Sequence, residues 1–406
     1  MVRCLRIAVY GYEKMKSLAF VTPKIDTFSN PTLIALIEEL LRRDIKIIFF
    51  GFEQIFIPSQ IRRHLELNEL PFNFYEFEPS ARRLKKLAFQ YADVYYKLKW
   101  KYGTECIFCV DPMGLVVAGR MKNLLNAKII YASFEIFFED EFVDQRKKVL
   151  KKLENVYSED VDTVVIQDPR REALLREVNN FRNGTKFVHI PVSPVPIDVS
   201  ADKVDVHRLL RIPREKRIAV YSGSLLGWSG INEMLEQFPD NWDNDFWFLI
   251  HSHHRLENVD PVKRKIDELI SEGMQITLHD WPFYEYKDYA SFLAGCDVGF
   301  ATYFPNPMDI FAGKNIQVIG LSSGKLSTYM MLGLPSVVTN HKTYAELMQD
   351  YEFGSIIDSA MDIKNALKRI NENYDRFRNN CLRLYEEVLD PTQKILKLAD
   401  MIENEC

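Results

Sequence analysis

Short, nearly continuous apolar runs recur along this chain with helix signals between them, and that alternation limits the fold more than any other feature. Ile45-Lys-Ile-Ile-Phe-Phe50 is such a run, ending at Gly51; others are Ile107 to Val110, Ala127 to Ser133, Thr163 to Ile166, Arg217 to Tyr221 and Phe246 to His251. Runs that are apolar at consecutive positions belong to strands covered on both faces, which means parallel sheets flanked by helices. Leu5 to Tyr10 reads as the first strand. Pro31 to Leu41 reads as the helix that follows, with Ser29 or Asn30 as its cap and Pro31 in its first turn. Ligands of such sheets sit beyond the carboxyl ends of the strands, so Gly11 and Tyr12 are expected at a cleft edge.

The segment Ile190-Pro-Val-Ser-Pro-Val-Pro-Ile197 carries three prolines within six residues. It is extended and semi-rigid, a natural joint between domains. A chain of 406 residues, 47% of them apolar, has material for two cores, one on each side of that joint. The expected division is 1–195 and 196–380, with 381–406 as a terminal segment. Its helix places Ile395, Leu398, Met401 and Ile402 on one side.

Chemistry concentrates around Ser322 to Glu346. Ser322-Ser-Gly-Lys325 leads into a helix in which Leu326, Tyr329, Met330 and Gly333 share a face, and Pro335 enforces its stop. A loop of small residues and a lysine at a helix start presents amide N–H groups and a cation to one anion. The sequence is not a Walker A loop. Only three residues separate Gly320 from Gly324, and Leu326 follows the lysine where a magnesium-binding hydroxyl would be needed. A second phosphate-sized approach is offered by Gly223, Ser224, Gly227 and Gly230 after the Arg217 run. His253, His254 and Arg255 follow the Phe246 strand, and this loop is expected near a nucleotide rather than around a metal.

Other constellations read as structural. Cys106-Ile-Phe-Cys109 lies inside an apolar run and has no second pair to complete a zinc site. Asp160 and Asp162 stand at a strand entrance, where two solvated acids are a better account than a metal motif. No metal or cofactor is therefore expected. Residues 1–200 hold 30 Lys and Arg against 26 Asp and Glu, while the remainder holds 22 against 31. That balance excludes a general nucleic-acid binder and places any anionic acceptor or membrane surface on the first half. Arg82, Arg83, Lys85 and Lys86 open a basic, aromatic stretch from Ala81 to Tyr102 that suits an anionic membrane surface. There is no run of 18 uncharged apolar residues, and the N-terminus lacks a signal-peptide core. The expected location is cytoplasmic, peripheral on the inner face of the membrane if that stretch binds it.

Taken together, Lys325, Tyr329, Gly333, Pro335, Val337, Val338, Glu346 and Gly354 resemble the nucleotide-binding half of the "group 1" glycosyltransferases of GT-B fold. Tyr131-Ala-Ser-Phe-Glu135 is similar to another segment of that family, with Phe134 where many members have His. The resemblance implies two Rossmann-like, doubly wound α/β domains facing a cleft, with a terminal helix crossing back to the first. It implies a nucleoside diphosphate sugar donor of UDP or GDP type, and a glycan or lipid-linked acceptor. Glu135, Lys325 and Glu346 are the catalytic candidates it suggests. Donor-binding candidates are Gly223, Ser224, His254 and Trp281, with Ser323, Gly324, Lys325, Leu326, Thr328 and Glu346 from the opening stretch. Two departures stand out: Thr328 replaces the family's ribose-binding Glu, and Gly320 replaces the first Glu of its E-x7-E pair. Retention or inversion at the anomeric carbon is thus left open. An epimerase, a phosphorylase or a non-catalytic binding protein on the same architecture are the alternatives.

Overall fold

The computed structural model describes residues 16–22, 27–51, 57–69, 92, 96–142, 145–305 and 313–405. The run at 5–10, Gly11, Tyr12 and the cluster Arg82, Arg83, Lys85 and Lys86 lie outside them. The strand that precedes the first long helix is β1 (Ser17–Thr22), whose six residues are all buried. The first sheet continues with β2 (Lys46–Gly51), β3 (Glu66–Glu69), β4 (Cys106–Val110), β5 (Lys128–Ala132), β6 (Thr163–Ile166) and β7 (Lys186–His189). The second holds β8 (Arg217–Ser222), β9 (Phe246–His251), β10 (Ile276–His279), β11 (Val298–Ala301), β12 (Ser336–Thr339) and β13 (Gly354–Ile357).

Strand order is β3-β2-β1-β4-β5-β6-β7 in one sheet and β10-β9-β8-β11-β12-β13 in the other. Neighbours pair in parallel throughout both. Each order reverses once, between β1 and β4 and between β8 and β11. At such a switch point the flanking helices leave to opposite faces and a crevice opens at the carboxyl ends. Helices cover both faces of each sheet, giving a core on either side. Cys106 and Cys109 belong to opposite faces of β4, and neither forms a disulfide. Asp162 is used locally, accepting from the Ile129 amide at 2.9 Å and pairing with Arg182, while Asp160 pairs with Lys122 at 3.3 Å.

The Pro31–Arg42 helix begins where β1 ends, with the Asn30 carboxamide accepting from the Thr32 and Leu33 amides. Its outer face is covered by the terminal Thr392–Glu405 helix, which buries Ile395, Leu398 and Ile402 in the first domain's core. Each such side chain contributes about 1.5–3 kcal/mol. Arg43 bridges to Asp400 and Glu403 at the helix ends.

The domains meet through a buried joint centred on Arg171, in the Pro169–Val178 helix of the first domain. Its guanidinium donates to Gln167 (2.6 Å), the Val318 carbonyl (3.0 Å), the Phe134 carbonyl (2.7 Å) and Asn315 (3.2 Å). Burial lowers its pKa, opposed by Glu135, Asp168 and Asp111. Asp168 caps that same helix with one oxygen and accepts from the Leu321 amide with the other. Gly320 has φ +50°, and a β-carbon there would stand 2.2 Å from the second Asp168 oxygen. A side chain at this position meets the Asp168 carboxylate, which is a physical reason for the departure at Gly320.

Candidate active site in the interdomain cleft

Lys325 lies in the first turn of the Gly324–Met331 helix, which leaves β11 through residues 302–323 and points at the second sheet's switch point. Its amine donates to the Tyr221 hydroxyl at 2.9 Å and lies over the rings of Tyr221 and Tyr303, at 4.0 and 4.8 Å from their centroids. Lys325 touches the cleft, yet protein encloses it closely enough that desolvation lowers its pKa from 10.5 to about 7. Among the described residues no carboxylate is paired with it. A buried amine in this state gains strongly from an anion that supplies the missing counter-charge.

The surroundings leave room for that anion. The Tyr221 hydroxyl donates to the Ser224 carbonyl (2.6 Å), which orients it to accept from Lys325. Gly223 has φ +147°, a conformation that favours glycine, and a β-carbon there would sit 3.5 and 3.6 Å from the last two Lys325 atoms. Its amide donates to the His251 carbonyl at 3.1 Å, so Gly223 provides space and not a hydrogen bond. On the opposite side Ser323 caps the helix, its hydroxyl accepting from the Leu326 amide at 3.2 Å. The Gly324 and Lys325 amides have no protein acceptor among the described residues, and both residues line the cleft at the positive end of the helix dipole.

The cleft encloses about 670 Å³ and takes its walls from both domains. Asn30, Pro31 and Val192 come from the first domain and its linker, facing the second-domain loops after β8, β9 and β10. Phe283, Tyr284, Tyr286 and Tyr289 add aromatic walls, and the Tyr289 hydroxyl pairs with that of Ser222 at 2.9 Å. His253 also lines the cleft; burial, then His254 and Lys325, pull its pKa down to about 4, so it is a neutral imidazole at pH 7. Thr328 donates to the Gly324 carbonyl (2.7 Å), so the Tyr286 hydroxyl donates to Thr328 (2.5 Å). The position of the family's ribose carboxylate is thus filled by a closed hydroxyl pair.

A second cavity of about 240 Å³ adjoins the first, sharing Ser29, Asn30 and Val192 with it. Glu135 lines it together with Asn315, Trp228 and Tyr303, whose rings stack at 5.9 Å. Asp111, at the end of β4 with φ +59°, accepts from the Phe134 and Glu135 amides at 2.8 and 2.9 Å. Holding a non-glycine residue there costs about 1–3 kcal/mol and sets the 133–136 turn at the first sheet's switch point. Asn315 of the second domain donates to the Glu135 carboxylate at 2.5 Å, so Glu135 is aimed by both domains.

Of the residues singled out from sequence, Gly223, Ser224, His254, Gly324, Lys325 and Thr328 line the main cleft and Glu135 lines the adjoining cavity. Ser323 and Leu326 lie beneath, buried. Trp281 and Glu346 stand outside both linings. Trp281 is 60% exposed with Arg255 over its ring at 5.1 Å, and Glu346 pairs with Arg170 across the domain boundary. Tyr221 and Tyr303 were not among the site candidates, since each reads in sequence as an ordinary core aromatic; His253 entered only through its loop, expected near a nucleotide.

Residues 321–392 match the family model of the glucosyltransferase 3-like C-terminal domain. Among solved structures, Anabaena HepE in complex with UDP-glucose superposes with a TM-score of 0.69 at 14% identity, covering 96% of this chain and 99% of that one. The chain has the GT-B fold. Sucrose-phosphate synthase from Thermosynechococcus elongatus gives 0.68 at 15% identity over 96% of this chain and 98% of that one. WaaG, a glycosyltransferase involved in lipopolysaccharide biosynthesis, gives 0.64 at 12% identity over 95% and 99%. No curated protein sequence matches this chain. The two GT-B domains place their switch points face to face, which is why the Lys325 cleft and the Glu135 cavity adjoin.

Proposed function

We propose that this protein is a glycosyltransferase that moves a sugar from a nucleoside diphosphate sugar, of UDP or GDP type, to a glycan or lipid-linked acceptor. The observation that carries the reading is the unpaired Lys325 amine at a helix start, opposite a glycine whose missing side chain leaves phosphate-sized space. As the glycosidic bond breaks, the leaving diphosphate gains negative charge. Lys325, the Gly324 and Lys325 amides and Ser224 stabilise that charge without a metal ion. The Glu135 cavity holds the acceptor, with the Glu135 carboxylate accepting from its attacking hydroxyl. Glu346 reaches the donor only when its Arg170 pair opens; unchanged donor affinity in Glu346→Gln removes it from the site.

The HepE structure is a complex with UDP-glucose, which supports a sugar nucleotide as the class of donor. No described helix is long and apolar enough to cross a membrane. Trp100, 72% exposed, and Tyr96 flank Lys97 and Lys99 on the first domain, which supports a lipid-linked acceptor reached at an anionic surface. The decisive test incubates the protein with a panel of sugar nucleotides and follows release of nucleoside diphosphate, with and without acceptor, in excess EDTA. Acceptor-dependent release is expected. Conversion without release points to an epimerase, release driven by phosphate to a phosphorylase, and binding without turnover to a non-catalytic protein.

A further inference from the structure

We propose that Glu285 reads the ribose diol of the bound nucleotide and that Ser59, from the opposite domain, aims it. The inference rests on the nucleoside diphosphate reading above and adds a residue to it. A nucleoside diphosphate brings an anion, a vicinal diol and a base. The cleft already offers a cation and aromatic rings. A diol requires an acceptor, and the strongest is an ionised carboxylate, which takes two O–H donors in charge-assisted bonds.

Two carboxylates, Asp260 and Glu285, line the cleft among the described residues. Asp260 is committed elsewhere, its carboxylate accepting from the Val262 amide at 2.8 Å as the cap of the Pro261–Ser271 helix. Glu285 precedes the Tyr286–Leu293 helix but caps nothing with its side chain. One of its oxygens accepts from the Ser59 amide and hydroxyl, at 3.0 and 2.8 Å; the other accepts from no described residue. Tyr286, the next residue, is tied by its hydroxyl to Thr328, one turn beyond Lys325. The second oxygen of Asp260 also accepts from no described residue, but that carboxylate is held as a helix cap. Glu285 is the described cleft carboxylate that caps no helix, and through Tyr286 it neighbours the turn that carries Thr328. The Ser59 contact also means that its orientation depends on the first domain being closed over the second.

Thr328 and Tyr286 have spent their O–H donors on Gly324 and on each other, and what they keep is a neutral acceptor, weaker toward a diol than a carboxylate. The test measures affinity for UDP and 2′,3′-dideoxy-UDP (for GDP and its dideoxy form where UDP does not bind) in wild type, Glu285→Gln and Ser59→Ala. Wild type is expected to prefer the ribose form on the order of tenfold. Glu285→Gln should lose that preference while keeping its affinity for the dideoxy nucleotide, and Ser59→Ala should lose part of it. Discrimination undiminished in Glu285→Gln overturns the assignment and leaves the nucleotide reading standing. A folded wild type that binds neither nucleotide overturns both.

Discussion

Lys325 makes donor binding a proton-linked event. Without ligand its ammonium form is disfavoured by burial between Tyr221, Tyr303 and His253, which holds its pKa at about 7. A pyrophosphate beside it supplies counter-charge and raises the pKa of the complex. Above pH 7 the empty site is mostly neutral, so binding takes up a proton, about 0.9 per site at pH 8. The same linkage makes affinity fall by up to about tenfold per pH unit above 7, and level off below it. For the unliganded fold the sign is opposite in consequence. The unfolded chain holds this proton up to about pH 10.5 and the fold releases it near 7, so Lys325 costs least in stability at high pH. Calorimetric titration with UDP-glucose in buffers of different ionisation heat reads the uptake directly, since its pyrophosphate diester has no ionisation near neutrality. His253, lowered to about 4, is too far from pH 8 to contribute comparably. Lys325→Met removes the uptake and weakens binding by roughly tenfold or more. Zero uptake in wild type, or equal uptake in Lys325→Met, refutes the argument.

Three further outcomes are expected. Arg171→Met leaves the Val318 and Phe134 carbonyls buried without their donor and loses about 3–5 kcal/mol in urea unfolding, whereas a loss under 1 kcal/mol would show the joint to be soft. Gly320→Glu, which restores the family residue, meets the Asp168 carboxylate and costs about 1–3 kcal/mol in the same assay, with no gain in turnover. Glu135→Gln keeps donor affinity within about twofold but lowers acceptor-dependent turnover on the order of a hundredfold, read as kcat at saturating donor; equal losses in donor binding would move Glu135 to the other site.

The parallel sheets were legible because their strands are covered on both faces, and consecutive apolar residues such as those of β2 and β4 admit few other readings. The strand reading of residues 5–10 lies outside the described residues; among these, the first strand is SLAFVT, identified by its pairing with β2 and β4, a long-range property. Lys325, Gly324 and Gly223 could be read locally, since a helix start and a glycine loop are written in adjacent residues. Glu285, Arg171 and Asn315 could not, because each acts on a partner more than a hundred residues away, across the domain boundary. Trp281 was a donor-binding candidate, but it lies against Arg255 outside the cleft, while its neighbours Phe283 and Tyr284 line it.

The central claim is that the diphosphate of a sugar nucleotide rests on Lys325 at the start of its helix. A crystal structure with intact UDP-glucose tests it most directly. The account predicts a pyrophosphate oxygen within about 2.7–3.2 Å of the Lys325 amine and another at the Gly324 or Lys325 amide. A pyrophosphate bound elsewhere in the cleft, with the Lys325–Tyr221 bond undisturbed and no oxygen near it, would contradict the account.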